Sequence, residues 1–463
     1  MSLNNTELSI VLKEITENNV ADTVNRTALL KSLIPTEGEI NARGVYVYAK
    51  VFSNYALKWF AEGGIYPVGG NARRVKMSAQ FKRLAISSQL TRDVLEGADK
   101  EAIINVVSEE IMDDTLTASK ELSQQLYGDG SGVKAIVASV SSETVTFRVG
   151  VGDLTPDVAN YGNTYGTSLL KERGRYNFIS GDGASDRDAG TGGTQTVAVG
   201  SVLPIVATSN VATLQSKTSG SVAVFDDVPD AANVLLDGDM IVYEGSYNQS
   251  VTGLDAHISS GTGTYQGITR GDYPTLRCYT LNAANSGLSV AMLYKLVFQM
   301  KYLRGRNLLN ENYIMLSSPA QVHAYALLGD ISTAGTNGST ADTNLEIMPN
   351  AGLLDYGFKT YKFAGLNWVE DEDCPPHKLF VIMPSMLKIK EFKPLSPVLQ
   401  GDNGFAPVPA FTSAGVGSYS DNAVYTMTWK GNLVTNDPAR AGMKIDNLGT
   451  SGLALPTNGF TLT

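Results

Sequence analysis

One long helix constrains the fold more than any other feature of this sequence. Residues 99–127 carry apolar or small side chains at steps of three and four: Ile104, Val107, Ile111, Thr115, Ala118, Leu122 and Leu126. This spacing places them on one face of an α-helix, and at 1.5 Å per residue the helix is roughly 40 Å long. The glycines of "GDGSG" at 128–132 end it. The chain therefore has to build part of its core along a single helical face.

An extended segment precedes this helix. Between Arg74 and Lys82, Val75, Met77, Ala79 and Phe81 alternate with polar side chains, which is the period of a strand with one apolar face. The turn residues "VGGN" at 68–71 come just before it. We expect "GGIYPV" at 63–68 to be the partner strand of a long β-hairpin. A hairpin alone is marginal in water, so its apolar face must lie on something else.

The remaining segments divide by composition. The first 35 residues carry helical spacing that stops near Pro35 and Gly38, and this pattern indicates an arm that leads into the rest of the chain. Residues 133–285 are rich in Val, Thr, Ser, Gly and Asp with short β-like runs, and they predict a β-rich insertion. Helical spacing returns at 288–307, and "YIMLSS" at 313–318 reads as a buried strand. The predicted fold class is α+β.

Composition and motifs argue against most catalytic classes. The formal net charge of −10 disfavours a protein whose main task is to grip phosphates. The two cysteines, Cys278 and Cys374, have no CxxC neighbour, the three histidines are scattered, and neither a GxSxG elbow nor a phosphate loop occurs. We predict no catalytic, cofactor or metal site and no enzyme activity. There is no 18-residue apolar run and no signal-like N-terminus, so we expect no membrane contact and folding in a cytoplasm.

A basic patch stands out in this acidic chain. The stretch "GGNARRVKMSAQFKR" at 69–83 contains five basic residues and no acidic one. Single-stranded nucleic acid would require interleaved aromatic residues, of which only Phe81 is present, and a membrane surface would require an amphipathic helix. Docking on the acidic surface of another copy suits the pattern best. The predicted intersubunit contact residues are Arg73, Arg74, Val75, Lys76, Met77, Phe81, Lys82 and Arg83. Candidate acidic partners on the long helix are Glu109, Glu110, Asp113 and Asp114.

The order of these elements carries a resemblance. A long hairpin, a long helix ending in "LYGDGSG", then "LLNENYIMLSSPAQVHAYALL" and a closing "WKGNLVTNDPARAGMKI" are similar to major capsid proteins of tailed bacteriophages, which have the HK97-like fold. By this resemblance 1–42 is the N-terminal arm, 61–92 the extended loop, and 93–132 the spine helix with the start of the peripheral domain. Residues 133–285 are an added insertion, and 286–463 hold the axial domain and the remainder of the peripheral domain.

The resemblance also implies a function. Such a chain self-assembles into pentamers and hexamers of an icosahedral shell that encloses double-stranded DNA without reading its sequence. It would assemble in the cytoplasm of a host bacterium and reside in the virion, with a separate scaffolding protein, a portal and an optional decoration protein as partners. Three alternatives stay open. One is an encapsulin-like protein compartment, and a second is a self-crosslinking capsid in which Lys76 or Lys82 joins an asparagine of a neighbour. The third is nucleic-acid binding through residues 73–83.

Overall fold

The computed structural model describes residues 28–52, 54, 56–62, 64–91, 100–141, 144–148, 169–183, 185–187, 197–198, 212–218, 221–225, 235–304, 312–325, 360–397, 405–412 and 415–449. The helical spacing expected near the start of the arm lies outside them. Helices and strands are both present, in agreement with the predicted α+β class. The chain divides into two compact units. Unit 1 comprises Met1–Leu126, Thr264–Ile268 and Leu387–Asn436, and unit 2 comprises Tyr127–Gly263, Thr269–Met386 and Asp437–Thr463.

Unit 1 contains a five-stranded sheet. Its strands are β1 (Thr36–Gly38), β4 (Lys82–Thr91), β20 (Leu387–Pro397), β21 (Phe405–Thr412) and β22 (Gly415–Thr435). The order is β1-β20-β22-β21, and β4 also pairs with β22. β1 runs parallel to β20, whereas the other pairs are antiparallel. Leu387 and Ile389 are buried while the intervening Lys388 is not, which is the alternation of a sheet with one face on the core.

A separate two-stranded ribbon belongs to the same unit. It pairs β2 (Gly44–Phe52) with β3 (Arg73–Gln80) in antiparallel register, so that Tyr48 faces Lys76. The expected pairing of 63–68 with 74–82 is therefore wrong. Pro67 has no N–H to give to a ladder, whereas 44–52 alternate Val45, Val47, Ala49 and Val51 with larger side chains and so form a far better strand.

Two helices accompany these strands. Helix α1 (Leu29–Leu33) lies in the arm, and helix α2 (Lys100–Tyr127) has 28 residues. α2 begins within one residue of the predicted start and ends where predicted. Ile111, Ala118, Leu122 and Leu126 are buried, so the face expected from the periodicity is the one that packs on the core.

The residues expected to form the β-rich insertion supply an eight-stranded antiparallel sheet in unit 2. Its strands are β5 (Val133–Ser141), β6 (Thr144–Phe147), β7 (Arg175–Ile179), β8 (Ser185–Arg187), β9 (Val197–Ala198), β10 (Ala212–Lys217), β11 (Val222–Phe225) and β12 (Met240–Tyr243). The order is β10-β11-β6-β5-β12-β7-β8-β9, and an extra pairing of β10 with β7 closes a ring of six strands. Phe147, Tyr176, Phe178 and Phe225 are buried together in its core, so this module fills its own interior.

Two short elements follow the eight-stranded sheet. Helix α3 (Leu254–His257) and the hairpin β13 (Thr264–Tyr265) and β14 (Ile268–Thr269) come next. The hairpin turns at Gln266 and Gly267, whose φ angles are +45° and +79°. Glycine adopts such angles readily, which suits Gly267 to the turn between β13 and β14.

A mixed six-stranded sheet completes unit 2. It consists of β15 (Thr280–Asn282), β16 (Ile314–Ser317), β17 (Thr360–Phe363), β18 (Leu366–Glu370), β19 (Leu379–Ile382) and β23 (Gly442–Asp446), in the order β15-β23-β19-β16-β18-β17. Helix α4 (Val290–Arg304) packs Leu293, Leu296, Val297 and Met300 into its core. A helical stretch at 319–325 and helix α5 (Pro438–Ala441) flank it. The predicted helix at 288–307 and the strand in "YIMLSS" are confirmed.

Candidate assembly interface

The ribbon has two chemically different faces. Val47, Ala49, Val51, Met77 and Ala79 are buried within the chain. The opposite face carries Tyr46, Tyr48 and Phe52 from β2, and all three are about half exposed or more. Side chains alternate between the two faces of a strand. The valines and alanine of β2 therefore face the core, and its aromatic side chains form a row on the solvent-exposed face.

Cations share this outer face. Lys50, Arg74 and Lys76 are exposed beside the tyrosines, and the register sets Lys50 opposite Arg74 and Tyr48 opposite Lys76. The Lys76 Nζ lies 3.5 Å from the centre of the Tyr46 ring, within the range of a cation–π contact. Within the described part of the chain, Lys50 and Arg74 form no ion pair. The outer face is therefore both aromatic and positively charged.

The segment at 53–72, which we call the tip, joins the two strands. Its large apolar side chains are turned to solvent: Leu57, Trp59, Ile65, Tyr66 and Val68. Trp59 is 93% exposed and Val68 90%. The Phe60 and Tyr66 rings meet edge to face at 5.1 Å, and the Asn54 Nδ2 donates to the Gly70 carbonyl at 2.6 Å, which closes the base of the tip. Clustered apolar exposure of this kind marks interaction sites on protein surfaces.

The base of the ribbon is fixed to unit 1. The Ser78 amide donates to the Gln266 carbonyl at 2.8 Å, which brings the turn of the β13–β14 hairpin against β3. The Asn432 Nδ2 donates to the Gln80 carbonyl at 2.8 Å, joining β3 to β22. Both bonds are made by residues at the C-terminal end of β3, which is the end of the ribbon opposite the tip.

The eight predicted contact residues differ in exposure and in the strand to which they belong. Arg73, Arg74, Val75 and Lys76 lie on the ribbon with side chains that solvent reaches. Met77 is 0% exposed and Phe81 is 9% exposed, so both are already buried by their own chain and are not available to a neighbour. The apolar face of β3 packs inside unit 1, and this is why the expectation for Met77 and Phe81 does not hold.

Lys82 and Arg83 belong to a different element from Arg73 and Arg74. β3 ends at Gln80, and Lys82 and Arg83 start β4, where they pair with Gly431 and Lys430 of β22. Burial lowers the pKa of Lys82. Apolar and polar residues alternate without interruption from 74 to 82, so the sequence gives no sign that the chain passes from the ribbon to the five-stranded sheet. The sequence analysis did not predict Tyr46, Tyr48 or Trp59 as contact residues. For the two tyrosines, the alternation in 44–52 was a usable signal.

The four candidate acids on α2 also differ in position. Glu109 and Asp113 are exposed, whereas Asp114 is buried and accepts a hydrogen bond of 2.6 Å from the Ser88 Oγ. The side chain of Glu110 lies outside the described residues. Met112 and Leu116 are nearly half exposed beside Glu109 and Asp113, so this helix face combines negative charge with apolar surface.

Chemistry elsewhere in the described residues is sparse. Among them no group of three or more His, Cys, Asp or Glu side chains is placed to hold a metal ion. Both cysteines are buried as free thiols, and burial raises the pKa of Cys374 well above its usual value, which disfavours the reactive thiolate. No helix in the described ranges is long and apolar enough to cross a membrane.

Comparison with known proteins gives structural similarities only. No protein-family model and no curated protein matches this sequence. The chain is similar to the capsid of cyanophage A-1(L), with 14% identity over 91% of this chain and 93% of that chain and a TM-score of 0.49. It is also similar to the capsid of a native GTA particle (10% identity, 91% of each chain, TM-score 0.42). A third similarity is to the holo-SrpI encapsulin complex from Synechococcus elongatus (8% identity, 92% of this chain and 86% of that chain, TM-score 0.37). All three TM-scores lie below 0.5, so these similarities assign no role to any residue.

Proposed function

We propose that this chain is the major capsid subunit of a tailed phage, a structural protein without catalytic activity. The observation that carries the proposal is the tip, where Leu57, Trp59, Ile65, Tyr66 and Val68 are largely exposed when the chain is taken alone. Burying a side chain of the size of Val68 or Ile65 is worth about 1.5–3 kcal/mol. A cluster of several such exposed side chains marks a surface that another molecule covers.

The order of elements supports the same function. An arm, a ribbon with a tip, a 28-residue helix and a second unit follow one another, and the chain then returns to unit 1 at Leu387–Asn436. This is the order that the HK97-like fold requires. The added eight-stranded sheet at 133–243 is a self-contained module, which suits an insertion into such a fold.

Assembly follows from a contact that is not self-complementary. A ribbon that docks on a different surface of the next copy is a heterologous contact, and such contacts close rings when the rotation between copies allows it. Rings of five and six from one chain build an icosahedral shell. A specific contact of this kind buries roughly 1,600 Å² in total, which an extended ribbon and its tip can supply.

The charge of the chain suits a container for DNA. A net charge of −10 limits non-specific attraction to phosphates, which grows with each accessible cation. We therefore infer that the shell encloses double-stranded DNA without sequence-specific binding. A separate scaffolding protein and a portal are the partners that this function requires, and a decoration protein is a further candidate. Assembly in the cytoplasm of the host bacterium and residence in the virion complete the proposal.

The test removes the tip and leaves the ribbon. Residues 54–71 are replaced by Asn-Gly, a pair that favours a tight hairpin turn, so that β2 and β3 stay joined. Electron microscopy and sedimentation then compare this variant with the wild-type chain. We expect closed shells or rings of five and six from the wild type and dissociated, folded chains from the variant. A matched control carries Lys295→Glu and Lys301→Glu on the exposed side of α4, and it should assemble.

Two results would count against the proposal. The first is a wild-type chain that remains monomeric under all conditions, with and without the other proteins of the virus. The second is a tip-deleted variant that forms the same shells as the wild type. Circular dichroism of each variant separates a loss of assembly from a loss of folding.

A further inference from the structure

We infer that the outer face of the five-stranded sheet binds the phosphate backbone of duplex DNA through three aligned cations, Lys393, Lys430 and Arg83. This inference rests on the proposed function, since duplex DNA is the polyanion that the shell encloses. It names the surface of the subunit that contacts this polymer, and that surface lies outside the ribbon and the tip.

The five-stranded sheet buries one face and leaves the other partly open to solvent. Met427 and Trp429 are buried, and the Thr115 Oγ1 of α2 donates to the Met427 Sδ at 3.8 Å, so α2 lies against this face. Thr428 and Lys430 alternate with these residues along β22 and are partly exposed. Because side chains alternate between the faces of a strand, they belong to the opposite face, which we call the outer sheet face.

Three cations stand side by side on the outer sheet face. The register sets Lys430 of β22 opposite Lys393 of β20 on one side and opposite Arg83 of β4 on the other. Adjacent strands lie about 4.8 Å apart, so the three residues span only about 10 Å across the sheet. Like charges directly opposite each other on neighbouring strands are destabilising. The arrangement therefore weakens the free chain, and a bound anion would remove this repulsion.

The contacts of these cations leave their charge uncompensated. Within the described ranges neither Lys430 nor Arg83 forms an ion pair. The Lys430 Nζ lies 4.9 Å from the centre of the Phe392 ring, and the Lys393 Nζ donates to the Thr428 Oγ1 at 2.9 Å. Burial and the nearby Arg83 lower the pKa of Lys430. A lowered lysine pKa means that the surroundings disfavour the positive charge, and a phosphate group beside it would have the opposite effect.

The rest of the outer sheet face suits phosphate oxygens. The hydroxyls of Ser87 and Thr426 meet at 2.9 Å across β4 and β22, and such hydroxyls are common donors to DNA phosphates. At the edge of the sheet, Glu37 and Glu39 of the arm pair with lysines of β20. These two carboxylates are thus engaged elsewhere and do not neutralise the three aligned cations.

The pattern favours a repeating polyanion over an acidic protein surface. A duplex carries one negative charge per about 1.7 Å of its axis, so it offers phosphates to the aligned cations in many registers. A protein partner would need three carboxylates at matched positions. Three contacts are few, and this agrees with the net charge of −10, because a wall with few phosphate contacts holds DNA loosely and in a salt-dependent way.

The experiment measures the affinity of the full chain for a short labelled DNA duplex by fluorescence anisotropy. The chain is kept below the concentration at which it assembles, as checked by sedimentation. For three phosphate contacts, the logarithm of the wild-type affinity should fall with the logarithm of the salt concentration with a slope of about −2.7. A variant with Arg83→Gln and Lys430→Gln should lose at least roughly tenfold in affinity at low salt, and its slope should shrink to about −0.9.

Two controls separate binding from folding. Lys295→Gln with Lys301→Gln on α4 removes the same charge elsewhere and should change neither the affinity nor the slope. The melting temperature of the variant with Arg83→Gln and Lys430→Gln should stay the same or rise at low salt, because the substitutions remove repulsion between neighbouring strands. A clear fall in its melting temperature would show that the two cations stabilise the fold, and this would count against the inference.

Assembled shells provide a test of position. An enclosed duplex reaches the outer sheet face only if that face is closed to the exterior of the shell. A Lys430→Cys chain should therefore react with a maleimide-linked polymer when dissociated and resist it in closed shells. Rapid reaction in closed shells would place this face outside and overturn the inference.

The remaining outcomes distinguish this inference from the function on which it rests. A wild type that never assembles but binds the duplex through the aligned cations would overturn the proposed function and leave the DNA contact intact. A wild type that assembles while the variant with Arg83→Gln and Lys430→Gln binds the duplex equally well would overturn the inference alone. Loss of binding only in a variant with Arg74→Gln and Lys76→Gln would assign the duplex to the ribbon. A sheet variant that keeps the duplex but no longer assembles would assign the aligned cations to an acidic surface of a second copy.

Discussion

At the scale of single residues, unit 2 contains a buried cluster of opposite charges. Asp255 is buried between two lysines, with the Lys378 Nζ at 2.7 Å and the Lys444 Nζ also bonded to it. Lys444 pairs in addition with Asp446 at 2.9 Å. Burial disfavours the ionised form of Asp255, but the two ammonium groups outweigh it and hold the pKa of the carboxyl well below its usual value.

Removing the Asp255 charge should destabilise the fold. Asp255→Asn leaves two buried ammonium groups with less compensation, and breaking a buried ion pair from one side costs about 3–5 kcal/mol. Chemical denaturation followed by circular dichroism measures the loss. Asp437→Asn is the control because its pair with Arg440 is partly exposed to solvent, and its cost should stay within about 1 kcal/mol. Equal effects of the two substitutions would refute the assigned role of Asp255.

The same cluster sets a pH window. Because the folded pKa of Asp255 is depressed, its contribution is present above the unfolded value of about 3.9 and is lost as the pH falls below it. Burial lowers the pKa of Lys444, but the Asp255 and Asp446 carboxylates raise it above its usual value, so its contribution is lost only as the pH rises past about 10.4. The difference in unfolding free energy between wild type and Asp255→Asn should therefore be flat from about pH 5 to 9. A steep change near neutrality would contradict this.

At the scale of elements, local patterns were predicted well and pairings were not. The periodicity of α2 and the glycines that follow it depend only on neighbouring residues, and the helix was placed within one residue at its start. The alternation at 74–82 correctly predicted an extended chain. Alternation carries no information about which other strand pairs with it. The partner strand, 44–52, is separated from β3 in sequence by the whole tip. The change from β3 to β4 at Phe81 does not interrupt the alternation of apolar and polar residues. These two omissions hid the aromatic face of the candidate interface.

In the arm, ion pairs reinforce the backbone pairing of a short strand. β1 has three residues and pairs with β20, and Glu37 lies 2.6 Å from the Lys388 Nζ and 2.7 Å from the Lys390 Nζ. Hydrogen bonds from these two lysines lower the pKa of Glu37 to about 2. Glu39 also binds Lys390. This part of the interaction is present above about pH 4.3 and is lost as the pH falls through about 2.

Removing the two lysines should release β1. Lys388→Met with Lys390→Met deletes both partners of Glu37 and keeps the apolar stems, so a Glu-specific protease should cleave after Glu37 and Glu39 faster than in the wild type. Added salt should speed cleavage of the wild type as well, because these pairs are partly exposed and screened. Lys295→Met with Lys301→Met on α4 serves as the control and should leave the cleavage rate unchanged. A cleavage rate that changes neither with salt nor with the two substitutions would show that the backbone pairing alone holds the arm.

At the scale of the whole molecule, the β-rich character of 133–243 followed from composition, but its closure did not. The ring depends on β7 meeting β10, where Tyr176 pairs with Ala212, and nothing in the intervening residues signals that contact. The domain boundaries drawn from the sequence therefore remain predictions. What the sequence did indicate was a local cluster of positive charge on one extended element, and the structure adds an exposed apolar tip, on which the proposed assembly contact depends.

The three tryptophans report on different parts of the molecule. Trp368 is buried in the core of unit 2, Trp429 is buried in unit 1 with its Nε1 donating to Glu391, and Trp59 stands exposed on the tip. If the tip inserts into a neighbour, Trp59 leaves water on assembly and its emission should move to shorter wavelength. Trp59→Phe keeps an apolar ring at the joint, so this variant should still assemble but without the shift. Assembly of the wild type with unchanged emission and unchanged quenching by acrylamide would place the tip outside the contact, even if shells form.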